Sequence, residues 1–146
     1  MPTRPYRCIY WSRNRVDGAD EIVRAIDSIL VSARHNNRLL GITGALAFDR
    51  GLFAQFLEGE IRAVELVFEK IQRDERHGDI QVLAFGPASK RAFRTSPMAF
   101  LGRTPEEHRR FVEAGDDAEA GADRIEAQRL LDIVRTLGVE DPDPSR

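Results

Sequence analysis

Gly41-Ile42-Thr43-Gly44-Ala45-Leu46-Ala47-Phe48-Asp49-Arg50-Gly51-Leu52-Phe53-Ala54-Gln55-Phe56-Leu57-Glu58-Gly59 reads as two short apolar strands, Ile42 to Phe48 and Leu52 to Glu58. The Asp49-Arg50-Gly51 junction is a hairpin turn in which Gly51 can supply a positive φ. Side chains alternate along an extended chain, so Gln55 points the same way as Phe53 and Leu57. A primary amide facing a core carries donors and an acceptor that need partners, and leaving them unpaired costs about 1–3 kcal/mol. Something polar is therefore expected inside this fold.

Outward from the hairpin, Tyr6 to Ser12 reads as a first strand, with Cys8, Tyr10 and Ser12 on one face and Ile9 and Trp11 on the other. Asp17-Gly18-Ala19-Asp20 leads into a helix that either aspartate can cap. Ile22, Ile26, Ile29 and Ala33 recur there at helical spacing, and His35-Asn36-Asn37-Arg38 is its expected end. A second amphipathic helix is predicted from Glu60 to about Arg76, with Ile61, Val64, Phe68 and Ile71 as its stripe and Gly78 as its stop. Ile80 to Phe85 is a further strand, and Ala92 to Ser96 a short last one before Pro97.

The order β-α-β-β-α-β(-β) predicts a ferredoxin-like α+β fold, one sheet carrying both helices on one face. Ile9 and Trp11 then point to the other face, which must also be covered. The tail offers the cover: a capping box with proline at Thr104-Pro105-Glu106-Glu107, an acidic hinge from Gly115 to Gly121, and a helix from about Ala122 to Leu137. The stripe of that last helix is Leu130, Ile133, Val134 and Leu137. The expected organisation is a sheet domain over 1–100, a C-terminal helical cap over 101–138 and a disordered tail over 139–146.

The 146 residues, 42% hydrophobic and 32% charged, suit one globular domain with an appended element. A net charge of −2 with mixed signs gives no support to nucleic-acid binding, whose usual footprint is a basic face. The single Cys8 excludes an internal disulfide, and His35, His77 and His108 lack metal-ligand spacing, so no metal is expected. No apolar run approaches the ~20 residues that cross a bilayer, and no signal-peptide pattern opens the chain. Cytoplasm is the default location.

Tyr10 and Gln55 are placed to meet on the helix-covered face, phenol to amide. In isolation such a pair is a structural hydrogen bond, Asn36-Asn37 a helix cap, and Lys70 with Asp74 an ordinary surface ion pair. Likewise, Arg76 and His77 complement a helix C-terminus, Ile29 and Ile71 are core, and Met98 fills a gap.

Together, and in this order, these residues resemble the BLUF family, blue-light sensors that use FAD. The resemblance runs from Tyr6 to about Met98. Tyr6-Arg7-Cys8-Ile9-Tyr10, Ala33-Arg34-His35-Asn36-Asn37, Gly41-Ile42-Thr43-Gly44, Gln55-Phe56-Leu57-Glu58-Gly59-Glu60 and Asp74-Glu75-Arg76-His77 carry it. It implies the same ferredoxin-like fold, with a flavin ring held between the two helices. By resemblance Tyr10 is the light-sensing tyrosine, Gln55 the glutamine between it and the flavin, and Met98 a third photoactive residue. Asn37 resembles the asparagine at the ring's polar edge, Asn36 its companion nearer the ribityl chain, and Ile29 and Ile71 match flanking positions. Lys70 stands where some relatives have arginine, with Asp74 as its ion-pair partner, and Arg76 and His77 match a pair at the same edge. Ser12 and Phe53, on the faces of Tyr10 and Gln55, complete the expected flavin contacts.

The resemblance further implies light-driven electron and proton transfer from Tyr10, rotation or tautomerisation of Gln55, and a signal leaving through the last strand and the C-terminal helices. No catalytic role is implied. The output is expected to pass to an unidentified downstream protein partner, with a homodimer or higher homo-oligomer and no direct contact to nucleic acid or membrane. One position departs: many relatives carry tryptophan where this chain has Ser96. Two other readings compete, a non-photoactive interaction domain of the same fold and a small acylphosphatase-like enzyme using Arg13 and Arg15.

Overall fold

A computed structural model of the chain describes residues 4–49, 51–93, 97–102, 129, 130 and 132. Its elements are β1 (Tyr6–Asn14), α1 (Ala19–Leu40), β2 (Thr43–Asp49), β3 (Leu52–Gly59), α2 (Ile61–Gln72), β4 (His77–Pro87) and β5 (Ala99–Gly102). They form one five-stranded sheet in the order β4-β1-β3-β2-β5. The first four strands pair antiparallel, and β5 joins β2 in parallel at the far edge. This is the ferredoxin-like arrangement expected from the element order, with one strand added.

The hairpin pairs Phe48 with Phe53 and Asp49 with Leu52 across the turn. Gly44 is required near its open end: a Cβ there would lie 1.8 Å from the Phe56 carbonyl oxygen, so only glycine lets β2 approach β3. The period-2 alternation sorts the apolar residues into two cores. Cys8, Tyr10, Phe53, Leu57, Ile26, Leu30, Val64 and Phe68 belong to the core under the helices. Ala45, Ala47, Ala54, Phe56, Phe93 and Leu130 form the other, with Ile9 and Trp11 packed against it.

The second face is thus covered, as its exposed alternation demanded. Phe93 stacks edge-on against Phe56 with ring centroids 4.9 Å apart. Of the expected helical cap, Arg129, Leu130 and Asp132 are helical, and Leu130 is 2% exposed within this second core. The Thr104–Glu107 capping box, the Gly115–Gly121 hinge, the remaining stripe residues and the 139–146 tail lie outside the described residues, as does Ser96.

Both helices end elsewhere than their sequence predicts. The α1 N-cap is Gly18, with φ 91° and no side-chain cap, so neither Asp17 nor Asp20 caps it; Asp20 and Glu21 sit in its first turn, facing the positive dipole end. Its C-terminus runs past Asn36-Asn37 to Leu40, where Gly41 takes the left-handed conformation at φ 69°. Gly41 N–H bonds the Arg38 carbonyl and Ile42 N–H the Asn37 carbonyl, a Schellman motif. Glycine wins over asparagine because it has no Cβ to strain at positive φ. At the other helix, α2 stops at Gln72, and Gly78 lies inside β4 rather than ending a helix.

Among the described residues the last strand is Ala99–Gly102; of the strand expected over Ala92–Ser96, Ala92 and Phe93 are not in a strand and the rest lie outside the described residues. Pro97 therefore precedes the ladder instead of interrupting it, and the sheet reaches slightly beyond the boundary expected at residue 100. Among the described residues, no helix is long and apolar enough to cross a membrane.

Candidate functional site

A cleft opens between α1 and α2 over the helix-side face of the sheet, with about 810 Å³ of empty space, part of it open to solvent. Ile29, Ala33 and Leu40 from α1 and Val67 and Ile71 from α2 supply apolar walls, and Leu46 and Phe53 contribute to the floor. Polar groups converge at its base and rim: Tyr10, Gln55, Asn36, Asn37, Lys70, Asp74, Arg76 and His77. Every cofactor-contact residue expected from the sequence lines this cleft except Ser12.

Tyr10 and Gln55 are direct cross-strand partners on β1 and β3, 2% and 4% exposed. The Tyr10 hydroxyl donates to Gln55 Oε1. Burial pushes the Tyr10 phenol well above its ordinary value, so it stays neutral and keeps the proton it donates. With Oε1 so engaged, Gln55 turns Nε2 toward Met98 Sδ at 3.7 Å. A thioether is a weak acceptor, so one end of this amide is held firmly and the other loosely.

His77 is fixed from both sides. Its Nε2 lies 2.8 Å from the Ile71 carbonyl, which can only accept, so Nε2 carries a proton. Nδ1 lies 2.7 Å from the Ser12 hydroxyl. Ser12 is fully buried and, unlike the other expected contacts, does not line the cleft.

Asp74 is also corrected. It lies beyond the end of α2, so helical four-residue spacing does not carry it to Lys70. Its carboxylate instead pairs with Arg76, through Nε at 2.9 and 3.1 Å and Nη2 at 2.6 Å, and accepts from the Arg76 backbone N–H at 3.0 Å. The hydrogen bonds from Arg76 hold its carboxyl below the usual aspartate value against the opposing pull of burial. Lys70 lines the cleft with its cationic group uncommitted to Asp74.

Sequence reasoning missed Ser32, Ala33, Leu40, Leu46 and Val67 as lining residues. Ala33 and Leu40 follow Ile29 at helical spacing and were findable from it. Buried polar work elsewhere was also missed. Glu58, fully buried, accepts from Arg7 and from the Ala92 and Phe93 backbone N–H groups. Arg13 and Arg15, the candidates for a phosphate loop, each lie 3.8 Å from an Asp79 carboxylate oxygen that a phosphate would have to displace.

The cleft suits a planar, amphipathic ring system: two apolar walls for its faces, and amides with cations for a polar edge. A flavin ring has this character, and the donor set fits it.

Comparison with known proteins agrees. The family model described as sensors of blue-light using FAD (BLUF) matches residues 6–99. The chain is 37% identical over 68 residues to the photoactivated adenylate cyclase subunit beta of Euglena longa, a match covering 47% of this chain and 8% of that protein. It is 33% identical over 79 residues to the blue light- and temperature-regulated antirepressor BluF of Escherichia coli (strain K12), covering 54% and 20%. It thus spans a small fraction of the length of these curated relatives. Among solved structures, BlsA in its photo-activated state matches with a TM-score of 0.67 at 29% identity, over 87% of this chain and 94% of that one. The dark state of BlrB, described as a BLUF protein, matches with a TM-score of 0.66 at 27% identity, over 94% and 98%.

Proposed function

The chain belongs to the BLUF family, sensors of blue light using FAD, and from that premise we propose that the α1–α2 cleft seats the flavin ring and that Tyr10, Gln55 and Met98 read the light. FAD, when bound, supplies the absorption of blue light and an acceptor for one electron and one proton. Ile29 and Ala33 on one side and Val67 and Ile71 on the other hold the ring faces and exclude water. Asn36, Asn37 and Lys70 present donors to its polar edge, while Arg76 and Asp74 neutralise each other at the rim, leaving Asp74 no free charge there.

The switch follows from the two ends of Gln55. In the dark arrangement the Tyr10 proton selects the orientation with Oε1 facing the phenol. Once that proton leaves, the Tyr10 oxygen can only accept, and the favoured orientation inverts so that Nε2–H faces it. The amide carbonyl then turns to the Met98 side, where the weak N–H···S contact gives way at little cost. Tyr10 then regains its electron and proton with the amide still turned, and the slower rotation of Gln55 back in darkness restores the first state. The single observation that carries this reading is a buried Tyr–Gln pair in the cleft whose amide has one strong and one weak partner.

The matched region senses rather than catalyses, and on this reading its output goes to an effector protein. The names of its relatives, a cyclase subunit and an antirepressor, support that kind of partner. The same reading assigns a helical cap over the second face to the chain after β5, on the stripe to which Leu130 belongs. It also includes a homodimer, a cytoplasmic location, and no direct contact to nucleic acid or membrane. Sedimentation of dark and illuminated protein tests the dimer.

For the sensor itself, the purified protein loaded with FAD is illuminated with blue light and its absorbance followed. The flavin band is expected to move reversibly to longer wavelength and to recover in darkness. A chain that does not take up FAD, or takes it up without a light-induced shift, refutes the proposal.

A further inference from the structure

Arg34 and Asn37 lie one turn apart on α1 and together grip the two residues that precede β5. Asn37 Nδ2 donates to the Pro97 carbonyl at 2.7 Å, and Arg34 Nε donates to the Met98 carbonyl at 3.0 Å. Arg34 is 8% exposed, unusual for an arginine, and Met98 is fully buried. Asn37 lines the cleft, but Arg34 does not; it stands behind the α1 wall.

We propose that Arg34 is a positioning residue for the light switch, fixing the Met98 backbone so that its sulfur meets Gln55 and thereby setting the lifetime of the light-altered state. The proposal rests on the photosensor reading above.

Methionine has three rotatable side-chain bonds, so where its sulfur can reach is decided by how its backbone is anchored. The 3.7 Å contact from Gln55 Nε2 is too weak to do the anchoring itself. Pro97 contributes no N–H to hold the segment. Among the described residues the ladder begins at Ala99, opposite Ala45, and β5 has β2 as its one neighbour in the sheet. Among the described residues, the hold on this segment before the ladder comes from α1. A guanidinium suits the task because it stays charged at every ordinary pH and bonds a carbonyl more strongly than a neutral donor. In return, the Met98 carbonyl offsets part of the cost of burying that charge.

The test uses the full chain with Arg34→Gln and Arg34→Lys. Loaded with FAD, Arg34→Gln is expected to keep flavin stoichiometry and the light-induced band shift, because the cleft is untouched. Its lit state should return to the dark state about tenfold faster, equivalent to ~1.4 kcal/mol of barrier, since Met98 is no longer held against displacement. Arg34→Lys, which keeps the charge, should recover part of the lifetime. Without FAD, amide exchange at Ala99–Gly102 should speed up in Arg34→Gln relative to the β1–β3 ladder. A lifetime within twofold of the unaltered protein, with β5 exchange no faster than the rest of the sheet, overturns the proposal even if thermal stability falls. Should Arg34→Gln fail to fold, Arg34→Met, which keeps the stem length but has no donor, decides by the same twofold limit. An unaltered chain without any light-induced shift refutes the photosensor reading instead, and the flavin-free exchange data still report whether Arg34 holds β5.

Discussion

Replacing Glu58 by alanine would strip four hydrogen bonds from one buried carboxylate. Arg7 donates to Oε2 through Nε at 3.2 Å and Nη2 at 2.9 Å, and the Ala92 and Phe93 N–H groups donate to Oε1 at 2.7 and 2.9 Å. Phe93 is fully buried, so its N–H would find no water, whereas Ala92 is only partly enclosed. Orphaned donors cost about 1–3 kcal/mol each, placing these two at roughly 2–4 kcal/mol together. Arg7 keeps 31% of its side chain exposed and rests over the Phe56 ring, so solvent relieves most of its loss and it adds about 1 kcal/mol. The expected total is ~3–5 kcal/mol, or roughly 10 °C in Tm for a chain of this size. Glu58→Gln retains an oxygen for both N–H groups and should cost about half as much. Urea unfolding of the flavin-free protein, followed by circular dichroism and Trp11 fluorescence, measures this. Arg7→Ala added to Glu58→Ala should cost little more, because the pair is already broken. A Glu58→Ala loss below about 1 kcal/mol would refute the claim that this carboxylate ties the chain after β4 to the sheet.

Tyr10→Phe should bind FAD with unchanged stoichiometry yet lose the light-induced shift, since Gln55 Oε1 then has no proton to select its orientation; absorbance spectroscopy reads both. Gly44→Ala should destabilise by about 3 kcal/mol or more, the upper range for overpacking, because its Cβ would meet the backbone carbonyl of Phe56 rather than a side chain that can move. Asp74 has a folded pKa below its ordinary value of 3.8, so its stabilising effect is present above that value and lost as pH falls through the folded pKa. Asp74→Asn should therefore be less stable than the unaltered chain near neutral pH, and the two unfolding curves should converge in acid.

Alternation made the hairpin legible, and with it the side of the sheet to which Tyr10 and Gln55 both point. Their direct cross-strand pairing followed once β1 lay beside β3. The cleft was legible as well, because α1 and α2 carry apolar stripes that must face the same sheet surface. What failed to read were contacts set by distant partners. Asn36-Asn37 looked like a helix end by local propensity, but Gly41 lies near enough to take the left-handed turn at lower cost. Asp74 looked like a helical partner of Lys70 until α2 ended at Gln72 and freed it for Arg76. Ala92-Phe93 looked like the start of a short strand before Pro97, yet the Phe93 N–H is taken by Glu58, 35 residues earlier in the chain. Ser12 shares a face with Tyr10, but its contact with His77 could not be read from β1 alone, because only β4, laid alongside β1, supplies that ring.

The sheet order sets β4 and β5 at opposite edges. Consecutive in the chain, they are four strand spacings apart, roughly 19 Å across the sheet. The polypeptide between them must travel that width, and it does so tacked to β3 midway by Glu58 and to α1 at its end by Asn37 and Arg34. β5 closes the journey with one four-residue ladder to a single neighbour, while β1, in the middle, is zipped on both sides. Peeling β5 away breaks one seam, frees Phe100 from the core and pulls on the two ties to α1, but leaves the other three seams intact. The part of the molecule that touches the switch is also the part held by the shortest ladder among the described strands, which makes it a tether pinned at its root rather than a beam of the framework.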